Sequence, residues 1–255
     1  MSGTIHVSRP VAGVMLLALE NPPANTLGRE MRSRLLRALD EAHGDLDVRV
    51  AVITGRGRSF CGGADLREER DGASGGGDDT LAGFARLLDS IERLRVPVVA
   101  AINGACVGGG LELALCCDIR LASESARFVC AGVNVGLMAS AWRLPRLIGI
   151  GPARHMLLTG LPQDAPTAER RGLVTGVYPD GELPDEALAL AGRIASRAPL
   201  SVEATRRVSG QALDLEPGEA ARVQARELSV LAASDDHREA VEAFLEKREP
   251  RFTRS

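Results

Sequence analysis

Apolar and polar residues follow two different spacings along the first half of the chain, and the two spacings alternate. The runs "VAGVMLLALE" (11–20), "VRVAVITG" (48–55) and "VVAAI" (98–102) are short and mainly apolar, which is typical of buried strands. Between the first two, "REMRSRLLRALDEAH" (29–43) has the spacing of an amphipathic helix. A chain in which strands and helices alternate in this way is predicted to form an α/β fold.

Residues 80–95, "TLAGFARLLDSIERLR", show a particularly clear helix pattern. Their apolar side chains recur every three or four positions and so share one face of the predicted helix. This face consists of Leu81, Phe84, Leu88 and Ile91. Val96 and Pro97 are predicted to end the helix before the next strand, because the residue before a proline avoids helical backbone angles.

Helical spacing predominates after Arg146. The predicted helices include "ALALAGRIASRA" (187–198), "SVEATRRVSGQAL" (201–213), "EPGEAARVQARELSVLAAS" (216–234) and "DDHREAVEAFLEKREPRF" (235–252). We therefore predict an α/β core at residues 1–195 and a helical C-terminal region at 196–255, with no linker between them. The low-complexity stretch "DGASGGGDD" (71–79) is interpreted as a mobile loop inside the core.

Composition and charge narrow the possible partners. Of the 255 residues, 45% are hydrophobic and 25% are charged, as in ordinary soluble proteins. The net charge is −3 and Lys247 is the single lysine, so the chain lacks the basic field that holds nucleic acid. No apolar run approaches the roughly 18 residues of a membrane span, and the N-terminus has no signal-peptide pattern. We predict a cytoplasmic protein with no nucleic-acid partner and no membrane association.

Cysteine and histidine form no pattern that predicts a disulfide framework or a metal site. The five cysteines are odd in number and include no C-x-x-C pair, which indicates a reducing compartment. The four histidines lie in unrelated contexts and are interpreted as surface or structural residues: His6, His43, His155 and His237. No metal site is predicted.

Two glycine motifs resemble catalytic or cofactor signatures but lack the required context. Gly72, Ser74 and Gly76 spell G-x-S-x-G, yet no strand precedes them and no helix follows, as a nucleophile elbow requires. "GRGRSF" (55–60) begins as a dinucleotide fingerprint, but Phe60 stands where the third glycine is needed. We interpret the first as non-catalytic and the second as a turn.

Two further glycine-rich turns follow predicted strands, "SFCGGADL" (59–66) and "GACVGGGLE" (104–112). Glycine lets a ligand approach backbone N–H groups closely, and a helix N-terminus after the second turn would add a positive dipole for an oxyanion. The alternative is that the glycines only permit tight packing. Glu112 favours the first interpretation, because it falls in the first helical turn among apolar residues. The dipole favours its charged form and desolvation its neutral form, which suits a group that transfers protons.

The first of these turns, "SFCGGADL", and four other blocks, one of which contains the second turn, together resemble the crotonase superfamily, the enoyl-CoA hydratase and isomerase proteins. The others are "VPVVAAINGACVGGGLELALCCDIRLASESARF" (96–128), "RLPRLIG" (143–149), "MLLTG" (156–160) and "AFLEKREPRF" (243–252). The resemblance covers nearly the whole chain. It implies a ClpP-like spiral of ββα units with a helical C-terminal region for oligomerisation, assembled as trimers or hexamers. It also implies a coenzyme A thioester as ligand, with no separate cofactor.

The resemblance assigns roles to individual positions. The backbone N–H groups of Ala64 and Gly109 match the oxyanion hole that holds the thioester carbonyl, and Glu112 matches the first of two glutamates that hold water and transfer protons. Substrate contacts are implied for Gly62, Gly63, Asp65, Leu66, Gly108, Gly132, Phe244 and Lys247. The last two match positions that approach the coenzyme of a neighbouring subunit.

The second glutamate of the hydratases is missing, because its position falls on Gly132. Glu112 must then serve both proton transfers, or another group must help; the nearby polar residues are Asn134, Ser140 and Arg143. Trp142, the single tryptophan, is interpreted either as a wall of the acyl pocket or as a core or subunit contact.

The resemblance thus favours an enoyl-CoA hydratase that works through an oxyanion-stabilised enolate. Enoyl-CoA isomerisation or decarboxylation is the alternative, since either would suit the missing glutamate. A non-catalytic member that binds acyl-CoA is a third possibility, against which the retained acid at position 112 argues. The expected partners are an acyl-CoA thioester and further copies of the chain.

Overall fold

A repeated ββα unit organises the computed structural model, which describes residues 3–72 and 77–255. The strands are β1 (Thr4–Val11), β2 (Val14–Glu20), β3 (Val50–Gly55), β4 (Ser59–Cys61), β5 (Val98–Ile102), β6 (Ala105–Val107), β7 (Ile119–Ser123), β8 (Arg127–Val129), β9 (Gln163–Asp164) and β10 (Gly176–Tyr178). The helices are α1 (Arg29–Gly44), α2 (Leu66–Gly72), α3 (Gly77–Glu92), α4 (Gly109–Cys116), α5 (Arg143–Ile148), α6 (Ile150–Thr159), α7 (Ala165–Arg170), α8 (Leu183–Ala195), α9 (Pro199–Gln211), α10 (Pro217–Ala232) and α11 (Asp235–Glu246), with a 3-10 helix at Ala131–Val135.

The strands form two sheets, and from β3 to β8 successive strands along the chain are added to the two sheets in alternation. The first sheet has the order β1-β2-β3-β5-β7-β10 and the second has the order β4-β6-β8-β9. Only the β1–β2 and β8–β9 pairs are antiparallel. Each of the pairs β3–β4, β5–β6 and β7–β8 therefore adds one strand to each sheet before the chain turns into a helix. This is the spiral of ββα units that the family resemblance implies.

Both faces of the central strand β3 are buried, which explains its continuous apolar run. In β3, Ala51 and Ile53 belong to the main core with α1, α3 and α4, whereas Val50 and Val52 face α8. Helix α8 covers that second face with Leu183, Ala187, Ala191 and Ala195. A strand with both faces covered offers no position for polar residues, so "VRVAVITG" shows little alternation.

The register of the second sheet places the two glycine-rich turns side by side. Cys61 of β4 pairs with Cys106 of β6, and Cys106 pairs with Phe128 of β8. Because β4 and β6 run parallel, their carboxyl ends meet at the same edge of the sheet. The turn after β4 and the turn after β6 therefore leave this edge as neighbours.

The predicted apolar face of α3 is buried along only part of its length. Phe84, Leu88 and Ile91 pack into the main core, together with Leu87, which the predicted face did not include. Leu81, at the other end of that face, is 64% exposed. The spacing indicates on which side of the helix the core lies, but it does not tell how far along the helix the neighbouring layer extends.

Some other boundaries also differ from the sequence predictions. The run "VAGVMLLALE" is not one strand, because Gly13 has φ +76° and turns the chain between β1 and β2. The helices after Arg146 are interrupted by β9 and by β10, which joins the first sheet beside β7. Helices α8 to α11 appear where they were predicted. The boundary at residue 195 stays a prediction.

The structure describes all of "GRGRSF" and part of the G-x-S-x-G stretch. "GRGRSF" is a turn at 56–58 that leads from β3 into β4, as predicted. The stretch 71–79 is not all loop, because 71–72 end α2 and 77–79 begin α3. The expectation that no helix follows Gly76 is therefore wrong, whereas the element before Ser74 is the helix α2 and not the strand that a nucleophile elbow requires. Ser74 and Gly76 lie outside the described residues, so the loop between those helical ends stays a prediction. None of the helices over 3–72 and 77–255 combines the length and the apolar character that a membrane span needs.

Candidate active site

The two glycine-rich turns touch through glycine backbones. Gly63 has φ +86°, and a Cβ atom there would lie 2.6 Å from the nitrogen of Gly109. Gly108 also has a positive φ, +52°, which side chains rarely adopt. A Cβ on Gly110 would clash with the carbonyl oxygen of Cys61. The glycines therefore allow tight packing, which brings the amides of the two turns close together. The approach of a ligand to those amides stays a prediction.

Two N–H groups at this contact, those of Ala64 and Gly109, have no acceptor among the residues that the structure describes and can act as donors to a ligand. Gly109 is the first residue of α4, so its N–H has no acceptor within the helix. Ala64 lies in the turn after Gly63. Neither N–H donates a backbone hydrogen bond to any residue that the structure describes. The positive end of the α4 dipole points the same way as the Gly109 N–H, so a developing oxyanion would be stabilised there.

Glu112 lies in the first turn of α4, in the same turn as Gly109. Its N–H donates to the carbonyl of Gly108 over 3.1 Å, and the residue is only 7% exposed. Oε2 accepts a hydrogen bond of 3.1 Å from Nη1 of Arg143. Oε1 accepts none from the described part of the chain. Burial, together with the charge of Glu112, raises the pKa of the neighbouring Cys130 thiol to about 12, so that thiol stays neutral.

Arg143 connects Glu112 to a second acid. Its Nε and Nη2 atoms lie 2.7 Å and 3.1 Å from the two carboxylate oxygens of Glu92. The guanidinium carbon also lies 4.3 Å from the centre of the Trp142 ring. Burial alone would lower the pKa of Arg143, but the hydrogen bonds to Glu92 and the nearby acidic groups raise it above its ordinary value. Arg143 is therefore a permanent cation between two carboxylates.

Of the three polar residues considered as substitutes for the missing glutamate, Arg143 is the one that contacts Glu112. Asn134 is exposed, and its side-chain amide donates to the carbonyl of Gly160 over 3.4 Å. Ser140 is buried with φ +60°, and its carbonyl accepts the N–H of Leu144 at the start of α5. Among the hydrogen bonds of the described residues, neither Asn134 nor Ser140 donates to Glu112.

The position of the missing glutamate has little room for a side chain. Gly132 lies in the 3-10 helix, and a Cβ atom there would lie 2.9 Å from the carbonyl oxygen of Leu137 and 3.1 Å from the nitrogen of Ala139. Both neighbours are backbone atoms. A glutamate at this position would need the backbone to move.

The other implied substrate contacts divide into two groups. Gly62, Asp65, Leu66 and Gly108 flank the glycine contact, but the N–H groups of Gly62 and Gly108 already donate to Ala24 and Val129. Phe244 and Lys247 lie at the end of α11, and Phe244 is 83% exposed. The structure of one chain brings Ala64, Gly109 and Glu112 together, whereas any role of Phe244 and Lys247 stays a prediction.

A cavity of about 870 Å³ lies beside the site rather than in it. Trp142, Arg143 and Cys116 line it, but Ala64, Gly109 and Glu112 do not. Trp142 is 57% exposed, so it is not a core residue of the single chain. Arg143 thus contacts Glu112 with one N–H and borders this cavity. No group of three or more metal-binding side chains occurs among the residues in view, 3–72 and 77–255.

Sequence reasoning missed Glu92. It is one acid among the charged residues at the end of α3, and nothing in its local pattern distinguishes it from a solvent-facing residue. Its partner Arg143 lies 51 positions further along the chain. The pairing depends on how α3 and α5 pack, so no local spacing or motif in the sequence could have indicated it.

The chain is similar to known proteins over nearly its whole length. Residues 9–255 match the family described as enoyl-CoA hydratase/isomerase. The chain is 37% identical over 246 residues to 2,3-dehydroadipyl-CoA hydratase of Escherichia coli strain K12, with 94% of each covered. It is 39% identical over 261 residues to (E)-benzylidenesuccinyl-CoA hydratase of Thauera aromatica, with 99% of each covered.

A solved structure, that of an enoyl-CoA hydratase from Bacillus anthracis, has a TM-score of 0.93 at 30% identity and covers 98% of this chain and 99% of that chain. The likeness extends over the whole spiral of ββα units and the C-terminal helices. The chain therefore belongs to the enoyl-CoA hydratase/isomerase family of the crotonase superfamily.

Proposed function

We propose that this protein is an enoyl-CoA hydratase in which Glu112 is the single general acid and base. The observation that carries this proposal is the buried Glu112 carboxylate in the same helical turn as the free Gly109 N–H. A proton-transfer group beside two amide donors suits a reaction that passes through a thioester enolate. The substrate is an acyl-CoA thioester, and no separate cofactor takes part.

In the proposed reaction the thioester carbonyl accepts hydrogen bonds from the N–H groups of Ala64 and Gly109. The Glu112 carboxylate takes a proton from water while the water oxygen bonds to C3, and the electron pair of the C2=C3 bond moves into the thioester as an enolate. The two N–H groups stabilise the negative oxygen. Glu112 then returns the proton to C2 and the carbonyl reforms, so the elements of one water end on the product.

The surroundings of Glu112 support its use for both transfers. Arg143 cannot replace the second carboxylate as a proton donor, because its acidic neighbours hold its pKa above the ordinary value of an already strong cation. Asn134 has no titratable proton and bonds to Gly160 instead. Among the polar groups considered, Glu112 is thus the one that can both take and return a proton.

Double-bond isomerisation of an enoyl-CoA is the second candidate, and Gly132 favours it. Moving a proton from C4 to C2 requires one carboxyl group, which is what remains when position 132 lacks its glutamate. Decarboxylation of a malonyl-type thioester leaves an enolate that needs one proton at C2, so it would use Glu112 only as an acid. A binding protein without turnover would not need a buried acid beside free amide donors.

We also propose that the chain assembles into a homo-oligomer built on trimers. Large apolar side chains are exposed on α6, α10 and α11 of the single chain: Ile150, Leu158, Leu228, Val230, Val241, Phe244 and Leu245. Contact between copies would remove these side chains from water. Phe244 and Lys247 would then approach the coenzyme of a neighbouring subunit.

The test is incubation of the purified protein with a panel of CoA thioesters, followed by mass spectrometry and NMR of the products. The panel contains short 2-enoyl-CoA and 3-enoyl-CoA thioesters, a malonyl-type thioester, 2,3-dehydroadipyl-CoA and (E)-benzylidenesuccinyl-CoA. Hydration adds the mass of one water, isomerisation leaves the mass unchanged and decarboxylation lowers it. A product of unchanged mass from a 3-enoyl-CoA, with no hydration of any 2-enoyl-CoA, would replace the hydratase proposal with the isomerase.

A further inference from the structure

We propose that Arg143, itself held by Glu92, is a positioning residue that fixes Oε2 of Glu112 and so leaves Oε1 as the oxygen that exchanges protons with the substrate. The inference rests on the proposed function, in which Glu112 is the acid and base. It assigns a role to two residues, Arg143 and Glu92, that do not themselves touch the reacting atoms.

The guanidinium group of Arg143 is planar and rigid. Nε and Nη2 of Arg143 bind the two oxygens of Glu92 at 2.7 Å and 3.1 Å, as a fork. A planar group held at two of its nitrogens has the direction of the third determined as well. That third nitrogen, Nη1, points at Oε2 of Glu112 over 3.1 Å.

The Trp142 ring holds Arg143 from another side. Arg143 is the first residue of α5, and its guanidinium stacks on the Trp142 ring at 4.3 Å. Its side chain is less than half as exposed as that of Glu92, 15% against 35%, and the Glu112 side chain is 10% exposed. Exposure falls again from Arg143 to Glu112. Glu92 therefore holds Arg143 from the side nearer to the surface, and Arg143 contacts the more deeply buried Glu112.

The two carboxylate oxygens of Glu112 differ in their contacts. Oε2 has the Arg143 donor, whereas Oε1 accepts no hydrogen bond from residues 3–72 or 77–255. A carboxylate held at one oxygen cannot rotate freely, so its other oxygen keeps one direction relative to the Gly109 N–H in the same helical turn. Preorganisation of this kind raises rates because the acid does not have to be oriented during the reaction.

The chain offers a matched control in Arg146. Like Arg143 it lies in α5, lines the same cavity and approaches the Trp142 ring, at 5.9 Å. Its ion pair is with Asp214 at 2.9 Å, and it does not contact Glu112. Arg146→Ala therefore removes a neighbouring arginine without removing the hydrogen bond to the acid.

The experiment uses Glu92→Gln, Arg143→Lys, Arg143→Ala and Arg146→Ala in the full chain, with the thioester that the wild-type protein converts fastest. We expect Glu92→Gln to lower kcat by about 10- to 100-fold with little change in KM, because orientation and not binding is lost. Arg143→Ala should lower kcat further, and Arg143→Lys should recover part of that loss. Arg146→Ala should keep the wild-type kcat.

A double variant separates positioning from a general structural effect. In the Glu112→Gln background the acid no longer exchanges protons, so adding Glu92→Gln should cause no further loss of rate. Additive losses would overturn the inference, as would equal effects of Glu92→Gln and Arg146→Ala on kcat. In both cases wild-type turnover remains, so the proposed function stands.

A crystal structure of Glu92→Gln provides a readout that does not depend on turnover. We expect Arg143 to turn away from its present orientation and the contact between Nη1 and Oε2 of Glu112 to lengthen beyond hydrogen-bond distance. An unchanged contact near 3.1 Å would overturn the inference even if the wild-type protein converted none of the thioesters. A wild-type protein that converted none of the thioesters would contradict the proposed function, independently of the contact between Arg143 and Glu112.

Discussion

Nη1 of Arg143 lies 3.1 Å from Oε2 of Glu112, and the same guanidinium group binds both carboxylate oxygens of Glu92. Three residues from three helices thus form one chain of contacts that ends at the first turn of α4. The free amide donors of Ala64 and Gly109 lie at that same end of the second sheet. An acid with a defined orientation and two free donors are the parts that enolate chemistry requires.

Glu112→Gln is expected to lower turnover by about 10²- to 10⁴-fold, because the amide keeps the size of the acid but cannot exchange a proton. Binding of CoA should remain close to that of the wild-type protein. The measurements are kcat with the best thioester and calorimetry with CoA. Full activity of Glu112→Gln would show that another group is the acid and base.

Gly63→Ala is expected to lower kcat by about 10²-fold or more, because its Cβ would lie 2.6 Å from the nitrogen of Gly109 and disturb the amide donors. Gly57→Ala is the matched control: its φ of +76° is also positive, but nothing lies within 4 Å of its Cβ. Both variants should lose roughly 1–3 kcal/mol of stability from backbone strain. Equal kcat values in the two variants would contradict the assignment of these amides.

Gly132→Ala is expected to destabilise the protein by about 1–3 kcal/mol, because its Cβ would press on the backbone of Leu137 and Ala139. Gly132→Glu should therefore not restore a two-glutamate hydratase. Gly151→Ala is the control, since this glycine lies in α6 with nothing within 4 Å of the added Cβ. Urea unfolding measures the stability of all three variants, and the rate of hydration of a short 2-enoyl-CoA is measured for Gly132→Glu. A stable Gly132→Glu variant with faster hydration would contradict this prediction.

The cysteines are expected to resist alkylation in the folded protein. All five are buried, and burial raises the pKa of Cys61, Cys117 and Cys130 to about 12 and raises that of Cys106 and Cys116 as well. A raised pKa leaves less thiolate at neutral pH, and the thiolate is the reactive form. Intact mass after iodoacetamide should show no addition without denaturant and five additions in urea. Rapid labelling of the folded chain would contradict this packing.

A species built on trimers is expected in light scattering at micromolar concentration. The exposed apolar side chains of α11, such as Phe244 and Leu245, provide surface that contact between copies would bury. Phe244→Asp should shift the population towards smaller species. A strictly monomeric wild-type protein would contradict the proposed assembly.

Local pattern was sufficient for most of the elements. The apolar runs of β3 and β5 predicted strands, and the spacing of α1, α3 and α8 to α11 predicted helices, because these patterns depend on neighbours a few positions apart. The two glycine turns and Glu112 were also recognisable from the sequence, since the residue types themselves are unusual there. The family resemblance rested on the same blocks, and the comparisons confirm it.

Only the tertiary structure decided how these pieces meet. Leu81 shares the apolar spacing of Phe84 but is exposed, because spacing defines a side of the helix and not the extent of the layer against it. Gly63 touches Gly109 because β4 and β6 are parallel neighbours in the second sheet. Arg143 reaches Glu112 and Glu92 across 31 and 51 positions. Contacts between residues so far apart depend on strand register and helix packing, which no local periodicity contains.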